Sequence, residues 1–161
     1  MKGTSMSEAY QDDYCPGFPI VPVSLMIEGL AQTGGLLVGE WNHFRERVVL
    51  AKISKAVFQD PILAGEQLTY TAELADMQPD GAICQATIHA DGRLRAEVEL
   101  MFAHLDDRFA GVDLFDPADF LRMLRVFEIF KVGVDRNGAP IQIPEHLLLA
   151  EQADFQRSVG P

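Results

Sequence analysis

The chain has 161 residues, a length that suits one globular domain, and 48% of them are hydrophobic, which is enough for a substantial core. Its formal net charge of −11 argues against nucleic acid and anionic membrane surfaces as partners. The N-terminus carries no basic segment followed by an apolar run, so we expect no signal peptide and no membrane partner.

The two cysteines, Cys15 and Cys84, lie far apart in the sequence and match no metal-binding spacing. We expect them to be small buried residues rather than a disulfide, and this cysteine usage favours a cytoplasmic protein. No motif predicts a bound metal, a phosphate-binding loop or a cofactor.

The chain opens with residues 1–7, which are small or polar and predict a frayed tail. A proline-rich segment follows, in which Pro16, Pro19 and Pro22 fall within seven residues. Proline fixes φ and disfavours helical conformation in the residue before it. We therefore expect residues 14–22 to form an extended, stiff loop.

Residues 24–42 are apolar on every side of the predicted helix, and four glycines within them let neighbouring elements approach closely. A helix that is apolar all round is typical of a protein interior, so we expect a buried central helix here. Glu28 lies within this helix. It requires an explanation, because a buried carboxylate is costly unless it is paired or used in chemistry.

Four segments after the helix have the character of strands. Residues 48–58 are rich in apolar and β-branched side chains. The other three alternate apolar and polar residues with a period of two: 68–74, 84–90 and 94–102. Asp80-Gly81 and Asp91-Gly92 predict tight turns between them. The pattern indicates an α+β fold, in which long antiparallel strands receive the central helix on their apolar face.

The last third of the chain begins with signals for a helix. Asp116 is a good N-cap and Pro117 suits the first helical position, while apolar residues follow at helical spacing as far as a stop at Gly133. Asn137-Gly138 then predicts a small hairpin. We expect one extra C-terminal helix, followed by that hairpin.

The proline-rich segment and the helix after it resemble the signature of the FabA/FabZ-type (3R)-hydroxyacyl-acyl-carrier-protein dehydratases, which have a hot-dog fold. The matching positions are Pro16, Gly17, Pro19, Pro22, Leu25, Glu28 and Gln32. Residues 56–68 and 91–102 resemble later segments of the family, so the resemblance covers residues 8–105. It implies a hot-dog domain over residues 1–108, with an antiparallel sheet wrapped around the central helix, and a C-terminal extension over residues 109–161.

The sequence departs from the family pattern at two positions. Tyr14 stands where the family has its catalytic histidine, and Val23 stands where it has the glycine that opens the helix. The family also carries an opening helix and a first strand before this signature. We therefore expect the domain to be N-terminally short.

The resemblance also implies roles for individual residues. In the family, a histidine from one subunit and a carboxylate from the other transfer protons across a dimer interface, and N–H groups at the helix start hold the thioester carbonyl. The implied catalytic residues are Glu28 and Tyr14. The implied substrate-binding residues, along an apolar tunnel, are Gly17, Phe18, Val23 and Gln32. The implied partners are an acyl thioester on acyl carrier protein or coenzyme A, and a second copy in a homodimer or an assembly of dimers.

Tyr14 leaves three alternatives open, because a phenol with a pKa near ~10 is a poorer base at neutral pH than a histidine near ~6.5. The first is a dehydratase with a modified proton-transfer pair. The second is a hot-dog thioesterase, in which Glu28 activates water or attacks the carbonyl. The third is a protein that binds acyl thioesters without turnover. We expect exposed or structural roles for His43, His89, His104 and His146.

Acyl carrier proteins are themselves acidic, so docking one on this acidic chain would require a local basic patch. Lys52, Lys55, Arg93 and Arg95 could form such a patch only if the fold gathers them.

Overall fold

The computed structural model describes residues 2–3, 15–105, 115–135 and 137–159. The chain divides into two compact units, Met1–Asp107 and Arg108–Pro161. The elements described in the first unit are β1 (Lys2–Gly3), α1 (Val23–Trp41), β2 (Arg47–Phe58), β3 (Gln67–Gln78), β4 (Gly81–Ala90) and β5 (Arg93–Leu105). Those described in the second unit are α2 (Pro117–Val126), α3 (Ile129–Val132) and α4 (Glu145–Val159).

The strands of the first unit form one antiparallel sheet in the order β1-β3-β4-β5-β2. The turn between β4 and β5 has Asp91 at φ 47° and Gly92 at φ 78°, a left-handed pair that suits a two-residue hairpin. At the N-terminus, Lys2 and Gly3 pair with Leu68 and Gln67 of β3. The expectation of a frayed tail is therefore wrong for these two residues.

The apolar face of the sheet forms the core with α1. On β4 and β5 the buried residues alternate as the sequence predicts; they are Cys84, Ala86, Ile88, Ala90, Ala96, Val98, Leu100 and Phe102. Leu30 and Val38 of α1 are fully buried in the same cluster, and α1 contacts all four long strands. An antiparallel sheet packed over one long helix is the predicted α+β hot-dog arrangement, which is confirmed.

Only one face of α1 is buried in this chain. Its buried residues recur about every four positions, as one side of a helix requires: Met26, Leu30, Gly34, Val38 and Gly39. The opposite side exposes Leu25, Glu28 and Gln32. The prediction of a helix buried all round is therefore wrong for the single chain, because the sheet covers one side and leaves the other side exposed.

The glycines of α1 give a paired test of this packing. A Cβ added to Gly29 would lie 2.6 Å from the ring of Tyr70, whereas one added to Gly35 would lie 3.6 Å from the ring of Phe102, an ordinary contact. We expect Gly29→Ala to lower the free energy of unfolding by about 1–3 kcal/mol. Gly35→Ala should be neutral or stabilise by up to about 1 kcal/mol through helix propensity. Chemical denaturation of both variants checks this, and equal effects would contradict the packing.

The second unit confirms the predicted helix start but not the predicted helix end. The Asp116 side chain accepts hydrogen bonds from the N–H groups of Ala118 and Asp119, as an N-cap does. The helix stops at Val126 because Glu128 takes a left-handed conformation, with φ 57°. A continuous helix to Gly133 is therefore wrong, since one short turn, α3, fills the remainder.

After α3 the chain forms the expected small hairpin, closed by a bridge between Val134 and Pro140. The helix α4 follows, and the sequence analysis did not predict it. It packs against α2, with Leu147 buried, and Arg125 pairs with Glu151 at 2.5 Å. Neither α4 nor any other helix of the described ranges is long and apolar enough to cross a membrane.

Candidate active site

The loop before α1 is only partly extended. Residues 15–18 form a turn, in which the N–H of Phe18 donates to the carbonyl of Cys15 at 3.0 Å. Gly17 has φ +77°, a left-handed conformation that favours glycine. From Pro19 onwards the loop is extended and tied to the segment before β3, where the N–H of Val21 donates to the carbonyl of Ile62 at 2.9 Å. The prediction of an extended loop is therefore wrong at residues 15–18.

The start of α1 is exposed and has no side-chain cap. Pro22 occupies the N-cap position and has no side-chain group that could cap the first N–H groups of the helix. Leu25 and Met26 both donate to the Pro22 carbonyl at 3.1 Å, which leaves the N–H groups of Val23 and Ser24 ahead of the first intrahelical bonds. A helix N-terminus of this kind has positive potential, so it can hold a carbonyl oxygen that gains negative charge.

Glu28 lies on the exposed side of α1 rather than in the core. Gln32, one turn later, donates from its Nε2 to Oε1 of Glu28 at 2.9 Å. Leu25, Glu28 and Gln32 have the spacing of a single helix face. The expected burial of Glu28 is therefore wrong, and the carboxylate lies on the surface of this chain.

The structure does not connect the other predicted site residues of the loop, Tyr14, Gly17 and Phe18, with Glu28. Tyr14 lies outside the described residues, immediately before Cys15. Gly17 and Phe18 are exposed on the turn, with 49% of Phe18 accessible. In the described part of the chain, no hydrogen bond links either of them to Glu28. Both cysteines are free; Cys84 is buried as expected, whereas Cys15 is half-buried.

The histidines of the first unit do not lie beside Glu28. His43 follows the end of α1, which places it about 22 Å along the helix from Glu28. His89 alternates with the buried Ile88 and Ala90, so it points to the outer face of the sheet. The Nδ1 of His104 lies 2.8 Å from a carboxylate oxygen of Glu46, and its side chain is only 6% exposed. These positions favour structural roles in the first unit.

A small pocket beside the helix start is a feature that the sequence analysis missed. Its volume is about 140 Å³, and the residues that line it include Val21, Val23, Met26, Phe58 and Arg95. Phe18 and Glu28 are not among its lining residues. The expected elongated tunnel with Phe18 and Val23 in its wall is therefore not formed by the described residues of one chain, and closing one would require another surface over the exposed side of α1.

Arg95 is the unexpected member of this pocket. The alternation of β5 predicts that it points outward, yet its side chain is only 14% exposed and lies 2.8 Å from Glu66 and 3.4 Å from Asp60. Arg95 is therefore not available to a basic surface patch with Lys52 and Lys55. No local signal in the sequence separates Arg95 from Arg93, which is exposed.

Burial changes the chemistry of two groups near α1. The Tyr70 ring lies against Gly29, and desolvation raises the pKa of this phenol above its ordinary value. Tyr70 therefore stays protonated at neutral pH and acts only as a hydrogen-bond donor or acceptor. Desolvation also raises the pKa of the Cys84 thiol, which makes it a poor nucleophile. Among the residues that the structure describes, no group of three or more His, Cys, Asp or Glu could hold a metal ion.

Comparison with known proteins gives a consistent family match. The model of a FabA-like domain matches residues 2–102. The 3-hydroxyacyl-[acyl-carrier-protein] dehydratase FabZ of Nitratiruptor sp. is 34% identical, over 62% of this chain and 72% of the relative. FabZ of Symbiobacterium thermophilum is also 34% identical, over 66% of this chain and 75% of the relative. The match to the bifunctional enzyme LpxC/FabZ of Chlorobaculum tepidum is 35% identical but spans only 22% of that protein.

Solved structures with low sequence identity share the fold. The hexameric thioesterase y2039 of Yersinia pestis superposes with a TM-score of 0.51 at 13% identity, covering 55% of this chain and 75% of that one. A hypothetical thioesterase of Streptococcus pneumoniae with coenzyme A gives a TM-score of 0.52 at 12% identity, covering 65% and 74%. S. sahachiroi AziG gives 0.53 at 18% identity, covering 61% and 77%. At these identities the similarity supports the hot-dog fold alone.

Proposed function

Because the chain belongs to the FabA-like family, we propose that it acts on 3-hydroxyacyl thioesters as a dehydratase, with Tyr14 in the place of the catalytic histidine. The observation that carries this proposal is the combination of an uncapped helix start at Val23 with the exposed carboxylate of Glu28 on the same helix. The acyl group would be carried by acyl carrier protein or coenzyme A. The two separated cysteines favour the cytoplasm as the compartment.

The proposed chemistry converts a 3-hydroxyacyl thioester into a 2-enoyl thioester and water. A base removes the proton from C2, and the hydroxyl group leaves C3 as water once it is protonated. Glu28 takes the C2 proton, and the phenol of Tyr14 donates towards the departing hydroxyl. The N–H groups at Val23 and Ser24 stabilise the carbonyl oxygen while it has enolate character. Gln32 orients the Glu28 carboxylate through the 2.9 Å hydrogen bond.

We further propose that the active form is a homodimer, or an assembly of dimers. β2 is an edge strand of twelve residues, and among the described residues no strand pairs with its outer edge. Its apolar residues Leu50, Ile53 and Val57 are exposed. A long strand with an unpaired edge and exposed apolar side chains can pair with another chain. A second copy on this edge would also be able to cover the open side of α1.

Light scattering at micromolar concentration tests this assembly. We expect a dimer for the unmodified chain and a monomer for Ile53→Glu, because the substitution replaces an exposed apolar side chain of the edge strand with a carboxylate that is costly to bury in an interface. Thr71→Glu, on an exposed position of β3, is the matched control and should leave the dimer intact. A monomeric unmodified chain would remove both the dimer and a site shared between subunits.

A thioesterase is the second candidate, and the residue at position 14 favours it. In this alternative a carboxylate activates water or attacks the carbonyl, and Glu28 can supply that carboxylate without a histidine. The described histidines of the first unit lie away from Glu28, so none of them replaces the missing base. A third possibility, binding without turnover, follows if neither reaction occurs.

One experiment separates these functions. The purified protein is mixed with 3-hydroxybutyryl and butyryl thioesters of pantetheine, and enoyl absorbance and free thiol are followed in parallel. A change in enoyl absorbance without thiol release supports the dehydratase. Thiol release supports the thioesterase, and a ligand-induced rise in Tm with neither signal supports a binding protein. If no signal and no rise in Tm appear, four-carbon thioesters of pantetheine are not ligands of this protein.

A further inference from the structure

Arg95 occupies a bulge at the edge of the β4–β5 hairpin. The register between the two strands shifts at Ile88 and His89, and Arg95 is the extra residue of β5 at that point. Its carbonyl accepts a hydrogen bond from the N–H of Gln59 at 2.8 Å. A β-bulge re-aims the side chain that it carries. The guanidinium of Arg95 accordingly lies against residues 60–66, the segment that leads into β3.

The ion pair between Arg95 and Glu66 is largely buried. Nη2 of Arg95 lies 2.8 Å from Oε1 of Glu66, and the two side chains are only 14% and 17% exposed. The second carboxylate, Asp60, lies 3.4 Å from Nη1, and its side chain is 86% exposed. An exposed ion pair contributes little, whereas removing one partner of a buried pair leaves a charge without compensation. Glu66 is therefore the partner that matters for Arg95.

The other carboxylate oxygen of Glu66 holds the backbone of the same segment. Oε2 of Glu66 accepts a hydrogen bond from the N–H of Leu63 at 2.6 Å. Leu63 in turn forms a β-bridge with Ile20 of the proline-rich loop. One carboxylate therefore joins Arg95 of the sheet to the backbone that pairs with this loop.

The proline-rich loop is attached to that backbone on both sides of the bridge. Two backbone hydrogen bonds, of 2.9 and 3.2 Å, join residues 19–21 to residues 62–64. Tyr14 precedes the attached segment in the sequence, and Val23, the first residue of α1, follows it. Residues 62–64 therefore hold the part of the chain that connects the two halves of the proposed site.

We propose that Arg95 is a positioning residue, whose ion pair with Glu66 fixes residues 62–64 and, through them, the proline-rich loop. The inference rests on the proposed function, since that function uses Tyr14 and the N–H groups at Val23. Arg95 acts through the loop and does not contact the substrate. A displacement of about 1 Å between reacting groups can lower a rate by about 10²-fold, so loss of the ion pair should affect turnover more than binding.

The two free cysteines report on the loop without any substrate. Cys15 lies in the turn of the loop and is half-buried, whereas Cys84 is fully buried in the core of the same unit. Under native conditions, labelling of Cys84 by N-ethylmaleimide requires unfolding of the unit, while labelling of Cys15 responds to opening of the loop alone. Mass spectrometry of the two peptides gives both rates. Arg95→Met removes the ion pair, and Arg93→Met, at an exposed position of the same strand, is the matched control.

We expect Arg95→Met to raise the labelling rate of Cys15 by about 10–100-fold more than that of Cys84, because it leaves the Glu66 carboxylate without its partner. Arg93→Met should leave both rates unchanged. If Arg95 only stabilises the fold, both rates rise by the same factor, and that result or an unchanged Cys15 rate would overturn the inference. If Arg95→Met does not fold, Arg95→Lys is compared in the same way, since it keeps a positive charge beside Glu66 but loses the planar guanidinium.

Steady-state kinetics with a 3-hydroxyacyl thioester of pantetheine complete the test. We expect Arg95→Met to lower kcat by about 10–100-fold while KM changes much less. An unchanged kcat, or a change in KM alone, would overturn the positioning role even if Cys15 were labelled faster. If the unmodified chain turns over no thioester, the proposed function fails, whereas the labelling rates still decide whether the ion pair holds the loop.

Discussion

Replacing Glu28 with glutamine is expected to abolish thioester turnover, with kcat lowered by about 10²–10⁴-fold. The substitution keeps the shape of the side chain and removes the group that takes a proton. Folding should be little affected, because Glu28 is exposed and its hydrogen bond is to Gln32 on the same helix. Steady-state kinetics with a 3-hydroxyacyl thioester measure the loss, and thermal unfolding checks the fold.

Glu40→Gln is the matched control for this experiment. Glu40 is a carboxylate on the same helix, about three turns closer to its C-terminal end and away from the uncapped start. It should keep the activity of the unmodified chain. If Glu28→Gln retained full activity, the carboxylate would not take part in proton transfer, and both the dehydratase and the thioesterase would lose their central residue.

Replacing Tyr14 with histidine is expected to raise dehydration of a 3-hydroxyacyl thioester above that of the unmodified chain, by about 10²–10⁴-fold when the geometry is right. Histidine titrates near neutral pH, so at position 14 it can take the C2 proton in place of Glu28, which then protonates the departing hydroxyl. Position 14 keeps the family spacing to Glu28, and Pro16, Pro19 and Pro22 lie between them. Enoyl absorbance measures the gain, and Glu28→Gln in the same background should remove it.

Val23 limits the expected gain. A β-branched residue at the helix start narrows the opening, and a displacement of about 1 Å between reacting groups can remove much of a catalytic effect. Tyr10→His is the control for a histidine added nearby in the sequence, and it should not raise activity. If Tyr14→His folds, binds an acyl thioester and shows no increase, the site serves another reaction, and the thioesterase or the binding function takes first place.

Most of the first unit could be predicted from the sequence, because the alternation of apolar and polar residues along a strand indicates which side chains are buried. Cys84, Ala86, Ile88 and Ala90 fall on one face of β4 whatever the strand packs against. The cap at Asp116 was equally predictable, since an aspartate next to a proline satisfies the first N–H groups of a helix locally. The resemblance to the dehydratases rests on the same kind of local information.

The tertiary structure alone decided which sides of these elements are covered. The apolar character of α1 predicts burial, but one sheet covers only one face of a helix, so Glu28 is exposed in this chain. Arg93 and Arg95 look alike in the sequence, and only the pairing of β5 with β4 shows that a bulge turns Arg95 inward. Burial of this kind depends on contacts between residues that are distant in the chain, and a local pattern contains no information about them.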